Sequence, residues 1–167
     1  LIFKPMIKFY SQNNPKWAKQ KFSAAGLTLG AKGCTITSIC NLHRDWYGND
    51  DMTPDKVIKE LPFTKDGLLI WSAAKSALKK YGMQWEWRGY GKPSLALLRS
   101  YNDDPKRNIL LEINASHWVM MKVMFAPKPT SKTLHFMCVD PFPMPAIMKQ
   151  YTLSVVTGYS VFNKLAD

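Results

Sequence analysis

Acidic side chains are scarce in this 167-residue chain: 12 Asp and Glu stand against 23 Lys and Arg, a formal charge of +11. The basic residues are scattered rather than run together, so there is no nuclear-targeting run, basic tail or concentrated stripe. With no zinc-finger spacing and no RNA-recognition signature either, nothing supports a specific nucleic-acid partner. The diffuse field favours encounter with polyanions such as bacterial cell-wall polymers, anionic lipid surfaces or nucleic acid, and it equally serves solubility.

Cysteine is also sparse. Cys34, Cys40 and Cys138 are too few and too irregularly placed for a disulfide scaffold, and their odd number leaves at least one thiol free. Cys34, Cys40 and His43 lack a paired CxxC or HxxxH spacing, and His117 and His135 stand alone, so a zinc site is not expected. No apolar run approaches the ~20 residues of a transmembrane helix. The opening "LIFKPMIKFY" has neither the long apolar core nor the small-residue cleavage site of a signal peptide. It also lacks an initiator Met, which fits a processed product or one domain of a longer protein. Repeats and low-complexity linkers are absent, and 46% apolar residues suffice for the core of one domain over 1–167.

What is present is pattern. In "GAKGCTITSICNLHRDWYG" the residues Ile36, Ile39, Cys40, His43, Trp46 and Tyr47 recur at three- and four-residue steps, which predicts a helix ended by Gly48. Cys34 falls at or just before its first turn. Thr53-Pro54 reads as an N-cap and first-turn proline opening a short helix with Val57, Ile58 and Leu61 inward. A longer helix is predicted over about 69–81, with Ile70, Ala73, Ala74, Ala77, Leu78 and Tyr81 as its apolar stripe and Gly82 as its stop. The period then switches to two: Met83, Trp85 and Trp87 alternate with Gln84, Glu86 and Arg88, as in a half-exposed strand. Pro93 opens one more short helix carrying Leu95, Leu98 and Tyr101.

Beyond the turn Asp103-Asp104-Pro105, "NILLEI", "HWVMMKVMF" and "TLHFMCVDPF" read as strands in hairpin pairing, the last two separated by "APKPTS". "YTLSVVTGYSVFN" adds one or two more. A mostly helical first half followed by an antiparallel second half predicts an α+β fold, with the natural cleft at the seam between them.

Unpaired amide hydrogens and the positive end of the helix dipole gather where Cys34 falls, which favours a thiolate. A nucleophile there needs a base. His117 begins an apolar strand after a polar turn, where a side chain projects from the sheet end into a cleft, whereas His135 lies inside a strand and His43 on a helix. His117 is the better base. Asp140 ends the next strand, where pairing with the strand of His117 can bring carboxylate and imidazole together, although Asp-Pro taken alone reads as a strand-ending turn.

Four blocks, "YSQNNPKWA", "AKGCTITSI", "SHWVMM" and "CVDPF", occur in an order that resembles the papain-like cysteine peptidase superfamily, in its bacteriocin-processing, double-glycine peptidase branch. In that family a Gln in a "YSQ-D-P-W" block helps form the oxyanion hole, a Cys heads a helix, a His begins a strand and an Asp precedes Pro. By position these are Gln12, Cys34, His117 and Asp140. Two departures lie beside them: Thr35-Ile36-Thr37 replaces the usual Gly-Pro-Thr or Gly-Pro-Ala, and Asn13-Asn14 replaces a charged pair before Pro15.

The resemblance implies a papain-like fold and hydrolysis of a peptide or isopeptide bond on Cys34, with no metal and no organic cofactor. Trp71, Trp85, Trp87, Trp118 and Tyr90 are candidates to line a substrate groove, although aromatics at such spacings usually pack cores. Three classes of function fit: a peptidase acting on a protein or leader peptide, a hydrolase of cell-wall peptide stems, and a non-catalytic papain-like module of a larger assembly. The intact Cys, His, Asp and Gln set argues against the third. The resemblance also fits a domain of a phage virion, such as its tail, or of a secreted bacterial protein.

Overall fold

The computed structural model describes residues 8–126, 128, 130 and 133–166. The N-terminal block 1–7 and part of the "APKPTS" connection therefore lie outside the described residues. The element order is α1 (Leu29–Lys32), α2 (Cys34–Tyr47), α3 (Pro54–Val57), α4 (Trp71–Lys80), β1 (Met83–Tyr90), α5 (Leu95–Asn102), β2 (Arg107–Ile113), β3 (His117–Phe125), β4 (His135–Asp140), β5 (Ile147–Thr152) and β6 (Val156–Lys164). This is the α+β architecture predicted from the sequence.

All strands join one six-stranded sheet in the order β1-β6-β2-β3-β4-β5, and every pairing is antiparallel. Strands β2 to β5 form consecutive hairpins. The last strand, β6, returns to insert between β1 and β2, which no local signal in the sequence announces.

The sheet is covered on both faces, which is why "ILL" and "WVMM" run without alternation. One face holds Leu110, Trp118, Met120, Val139 and Phe162 against α2 and α4, in a core with Ile36, Ile39, Leu42, Ala74 and Leu78. The opposite face holds Ile109, Leu111, Val119, Met121 and Phe136 with Leu98 and Tyr101 of α5. Ile36 and Ile39, at 1% and 0% exposure, each stabilise the α2 packing by roughly 1.5–3 kcal/mol through burial alone.

Two expectations are corrected. Helix α4 begins at Trp71, with Ile70 as its N-cap, so Ile70 and Ala73 are exposed and only Ala74 and Leu78 of the expected stripe are buried. The cause is local: Leu69 pairs with Phe63 across an isolated bridge, holding the preceding chain extended. In β1 a bulge between Trp85 and Trp87 breaks the period of two. Trp87 is thereby turned to the opposite face, where its ring packs on Tyr159 at 5.1 Å, and Arg88 takes the inward place.

Candidate active site

Helix α2 starts at Cys34 because Gly33 lets α1 run directly into it. The Gly33 N–H closes α1 on the Leu29 carbonyl at 2.7 Å, and its own carbonyl accepts from Thr37 N–H at 2.9 Å. A Cβ at Gly33 would lie 2.4 Å from the Leu29 carbonyl oxygen, so the residue before the thiol must be glycine. Cys34 is partly exposed, whereas Cys40 and Cys138 are buried.

Two residues of α2 one turn apart engage the same residue of β3, Trp118, through its two flanking peptides. The Trp118 backbone amide hydrogen-bonds to the Cys34 sulfur, and Ser38 Oγ donates to the Trp118 carbonyl at 3.0 Å. His117 precedes Trp118, so this clamp sets the thiol beside the imidazole, near enough for each to shift the other's titration. His117 Nε2 lies 2.7 Å from Asp140 Oδ1, which leaves Nδ1 as the ring nitrogen facing the sulfur. The carboxylate is held in turn: Phe142 N–H donates to Oδ1 at 3.0 Å and Tyr151 O–H to Oδ2 at 3.2 Å.

Electrostatics follow the geometry. Burial pushes the Cys34 thiol up, but hydrogen bonds from His117 and the Trp118 amide and the nearby imidazolium charge outweigh it, leaving the thiol below its ordinary value. Burial alone would lower His117; the Asp140 carboxylate and Cys34 sulfur overcome this and raise it to about 9. Asp140 is raised by burial and lowered more by His117, the Phe142 amide and Tyr151, and ends below the usual carboxylate range. These directions favour the thiolate–imidazolium form of the Cys34–His117 pair over the neutral form, with the Asp140 carboxylate beside the imidazole. Burial drives Cys40 and Cys138 the other way, well above an ordinary thiol.

Gln12 lies between the two segments that carry these groups. Its backbone N–H donates to Pro141 O at 2.8 Å, next to Asp140, and its Nε2 donates to Gly30 O at 2.9 Å, in α1 before Cys34. The side chain is 1% exposed, and Oε1 has no hydrogen-bond partner among the described residues. The block around it folds on itself: Trp17 Nε1–H donates to Ser11 O at 2.9 Å, and the Tyr10 and Trp17 rings meet edge-on.

A cleft of about 560 Å³ opens on Cys34. Leu68, Leu69 and Trp71 line its helical side, and Arg88, Tyr90 and Trp118 its sheet side. Of the five candidate aromatics, Trp71, Trp118 and Tyr90 line this cleft, Trp71 and Trp118 also packing in the core; Trp85 packs against the core and Trp87 is turned away by the β1 bulge. Arg88 was not singled out in the sequence. Its guanidinium lies over the rings of Tyr90 and Trp118 at 4.2 and 4.8 Å and pairs with Glu112 at 3.0 Å.

The other histidines lie away from the thiol. His135 stands at the end of β4 opposite Asp140, hydrogen-bonded to Gln150 and packed on Phe125. His43 is buried in α2 between Tyr47 and Tyr81. Ser38, Tyr151 and the Trp118 amide went unrecognised in the sequence. Ser38, four residues after Cys34, was open to the helical-spacing argument, whereas the other two depend on strand pairing.

No protein-family model matches the sequence, and no curated protein matches it. Among solved structures, the crystal structure of a double glycine motif protease from an AMS/PCAT transporter, in complex with the leader peptide, matches 78% of this chain and 84% of its own, with a TM-score of 0.51 at 14% identity. The chain is therefore similar in fold to a double-glycine peptidase, the branch of the papain-like superfamily that its four sequence blocks resemble.

Proposed function

We propose that this chain is a papain-like cysteine peptidase that hydrolyses a peptide or isopeptide bond, with Cys34 as nucleophile, His117 as proton carrier, Asp140 as the group that orients it, and Gln12 as an oxyanion donor. The observation that carries the reading is the line from Cys34 through His117 to Asp140, with Cys34 at the head of a helix and lining an open cleft. The partly exposed thiol favours catalysis over the non-catalytic module. The fold neighbour holds a leader peptide, which supports a peptide as substrate.

The reaction starts from the ion pair. The Cys34 thiolate attacks the carbonyl carbon, and the C=O π pair moves onto oxygen, where the free N–H of Gln12 Nε2 and the first-turn amide of Cys34 receive it. The tetrahedral intermediate collapses as the C–N bond breaks, and the His117 imidazolium gives its proton to the departing amine. The resulting thioester is attacked by water, whose proton passes to His117. Collapse releases the carboxylic acid and restores thiolate and imidazolium. Asp140 keeps Nδ1 aimed at the sulfur throughout.

The test is incubation of the protein with a complex peptide mixture, followed by mass-spectrometric mapping of new amino termini. Recurrent cleavage that disappears in Cys34→Ala and in His117→Ala supports the reading. Cleavage that survives in Cys34→Ala, or none by the wild type, rejects it.

A further inference from the structure

Strand β5 adds little to the core. As the sheet's edge strand it leaves Ile147, Met148, Lys149 and Gln150 exposed. Tyr151 is different. It is half-buried, and its ring runs back along the sheet from the rung opposite Phe136, past Cys138, to put its hydroxyl 3.2 Å from Asp140 Oδ2. We propose that Tyr151 is a positioning residue for Asp140, fixing the carboxylate so that Oδ1 stays on His117 Nε2. This rests on the reading of Cys34, His117 and Asp140 as a catalytic set.

A carboxylate at a strand end has two side-chain torsions to settle, and one contact to an imidazole settles neither uniquely. Here both oxygens are taken from different directions. Oδ1 receives the Phe142 amide as well as His117, and Oδ2 receives the tyrosine hydroxyl. Phe142 is itself anchored, since its carbonyl accepts from Asn13 Nδ2. Burial and the charge of Asp140 push ionisation of the Tyr151 hydroxyl upward, so it remains a donor across the working pH range.

The titratable groups around the carboxylate are His117 from β3, Cys138 from β4 and Tyr151 from β5, with the Lys149 ammonium 5.3 Å from the Tyr151 ring. Cys138 is held neutral by burial. In the acid range, therefore, the group that titrates at this place is Asp140 itself.

The test is Tyr151→Phe, which keeps the ring and removes the donor, read by two measurements. In carbon NMR of carboxyl-labelled aspartate, the Asp140 titration should move up by about half to one pH unit, because one hydrogen bond to the charged form is lost. In peptide hydrolysis, kcat should fall about three- to tenfold with KM within about twofold. Site-specific 3-fluorotyrosine at position 151, a stronger donor, should move the Asp140 titration down instead. Asp140 titrations unchanged in both proteins, or a loss of kcat that only tracks the unfolded fraction, overturn the proposal. The NMR titration needs no substrate. A wild type that hydrolyses nothing removes the catalytic reading, while the titration still decides whether Tyr151 holds Asp140.

Discussion

Ser38 Oγ donates to the carbonyl of Trp118 at 3.0 Å, joining α2 one turn beyond Cys34 to β3 one residue beyond His117. Both groups are buried, so the bond fixes the register of the two elements that meet at the site. Ser38→Ala should lower unfolding free energy by about 1–3 kcal/mol in urea titration, since it strands a buried carbonyl. It should also raise the apparent pKa of Cys34 in alkylation, because the Trp118 amide loses its alignment with the sulfur. A variant as stable as the wild type, with an unchanged thiol titration, contradicts this role.

The pH dependence of hydrolysis follows from the two shifted groups. Cys34 lies below an ordinary thiol and His117 at about 9. The ion pair exists between those values. A bell-shaped profile of kcat/KM is expected, rising as Cys34 ionises and falling as His117 loses its proton near pH 9. A profile that rises to a plateau with no fall above that pH rejects the assignment.

His43 is 4% exposed and packed among aromatic rings, and its Nδ1 has no hydrogen-bond partner among the described residues. Burial lowers its pKa, with the charge of Asp51 opposing weakly. The neutral ring is therefore the native form, and the unfolded chain binds the extra proton first. Stability should be intact above the unfolded value of about 6.5 and should fall as pH drops below it. Replacing His43 by Phe should flatten this loss in denaturant titrations between about pH 6.5 and 5. Equal pH dependence in the two proteins would show that His43 does not drive it. The contribution of His117 runs oppositely, being complete below about 6.5 and lost as pH rises through about 9.

The β2–β3 turn that delivers His117 contains two non-glycine residues in the left-handed region, Asn114 at φ 50° and Ala115 at φ 57°. Asparagine tolerates this; alanine is strained there. The turn is retained by Asn114 N–H on Val155 O and Ala115 N–H on Thr157 Oγ1. Ala115→Gly should raise stability by about 0.5–1 kcal/mol. Ala115→Val should lower stability by about 1–2 kcal/mol and slow Cys34 alkylation by displacing His117. Thermal unfolding of both variants checks the sign.

Elements whose signal is local were legible in the sequence. Thr53-Pro54 marks the start of α3, Pro93 stands just before the Ser94 N-cap of α5, and Gly48 and Gly82 adopt the left-handed conformation that ends a helix. Spacing alone put Ile36, Ile39 and Cys40 on the buried face of α2. The start of α4 is not legible from its apolar stripe, because the Phe63–Leu69 bridge, a contact with no period, overrides it. The extra residue in β1 and the insertion of β6 between β1 and β2 are likewise set by non-local pairing. At the site, residues whose side chains carry the chemistry could be named by type and order. The groups that hold them could not: the Trp118 amide has no letter of its own, and Tyr151, 11 residues beyond Asp140, meets it only through the β4–β5 pairing.

The central claim is that Cys34 is a thiolate sustained by His117, and the most direct measurement is competitive alkylation of the folded protein with iodoacetamide near neutral pH, mapped to each cysteine over time. Cys34 should react far faster than Cys40 and Cys138, which are buried and raised. His117→Ala should slow that reaction and move the thiol's apparent pKa upward, whereas His43→Ala and His135→Ala should leave it nearly unchanged. Labelling that falls first on Cys40 or Cys138, or a Cys34 titration that is the same without His117, would contradict the account.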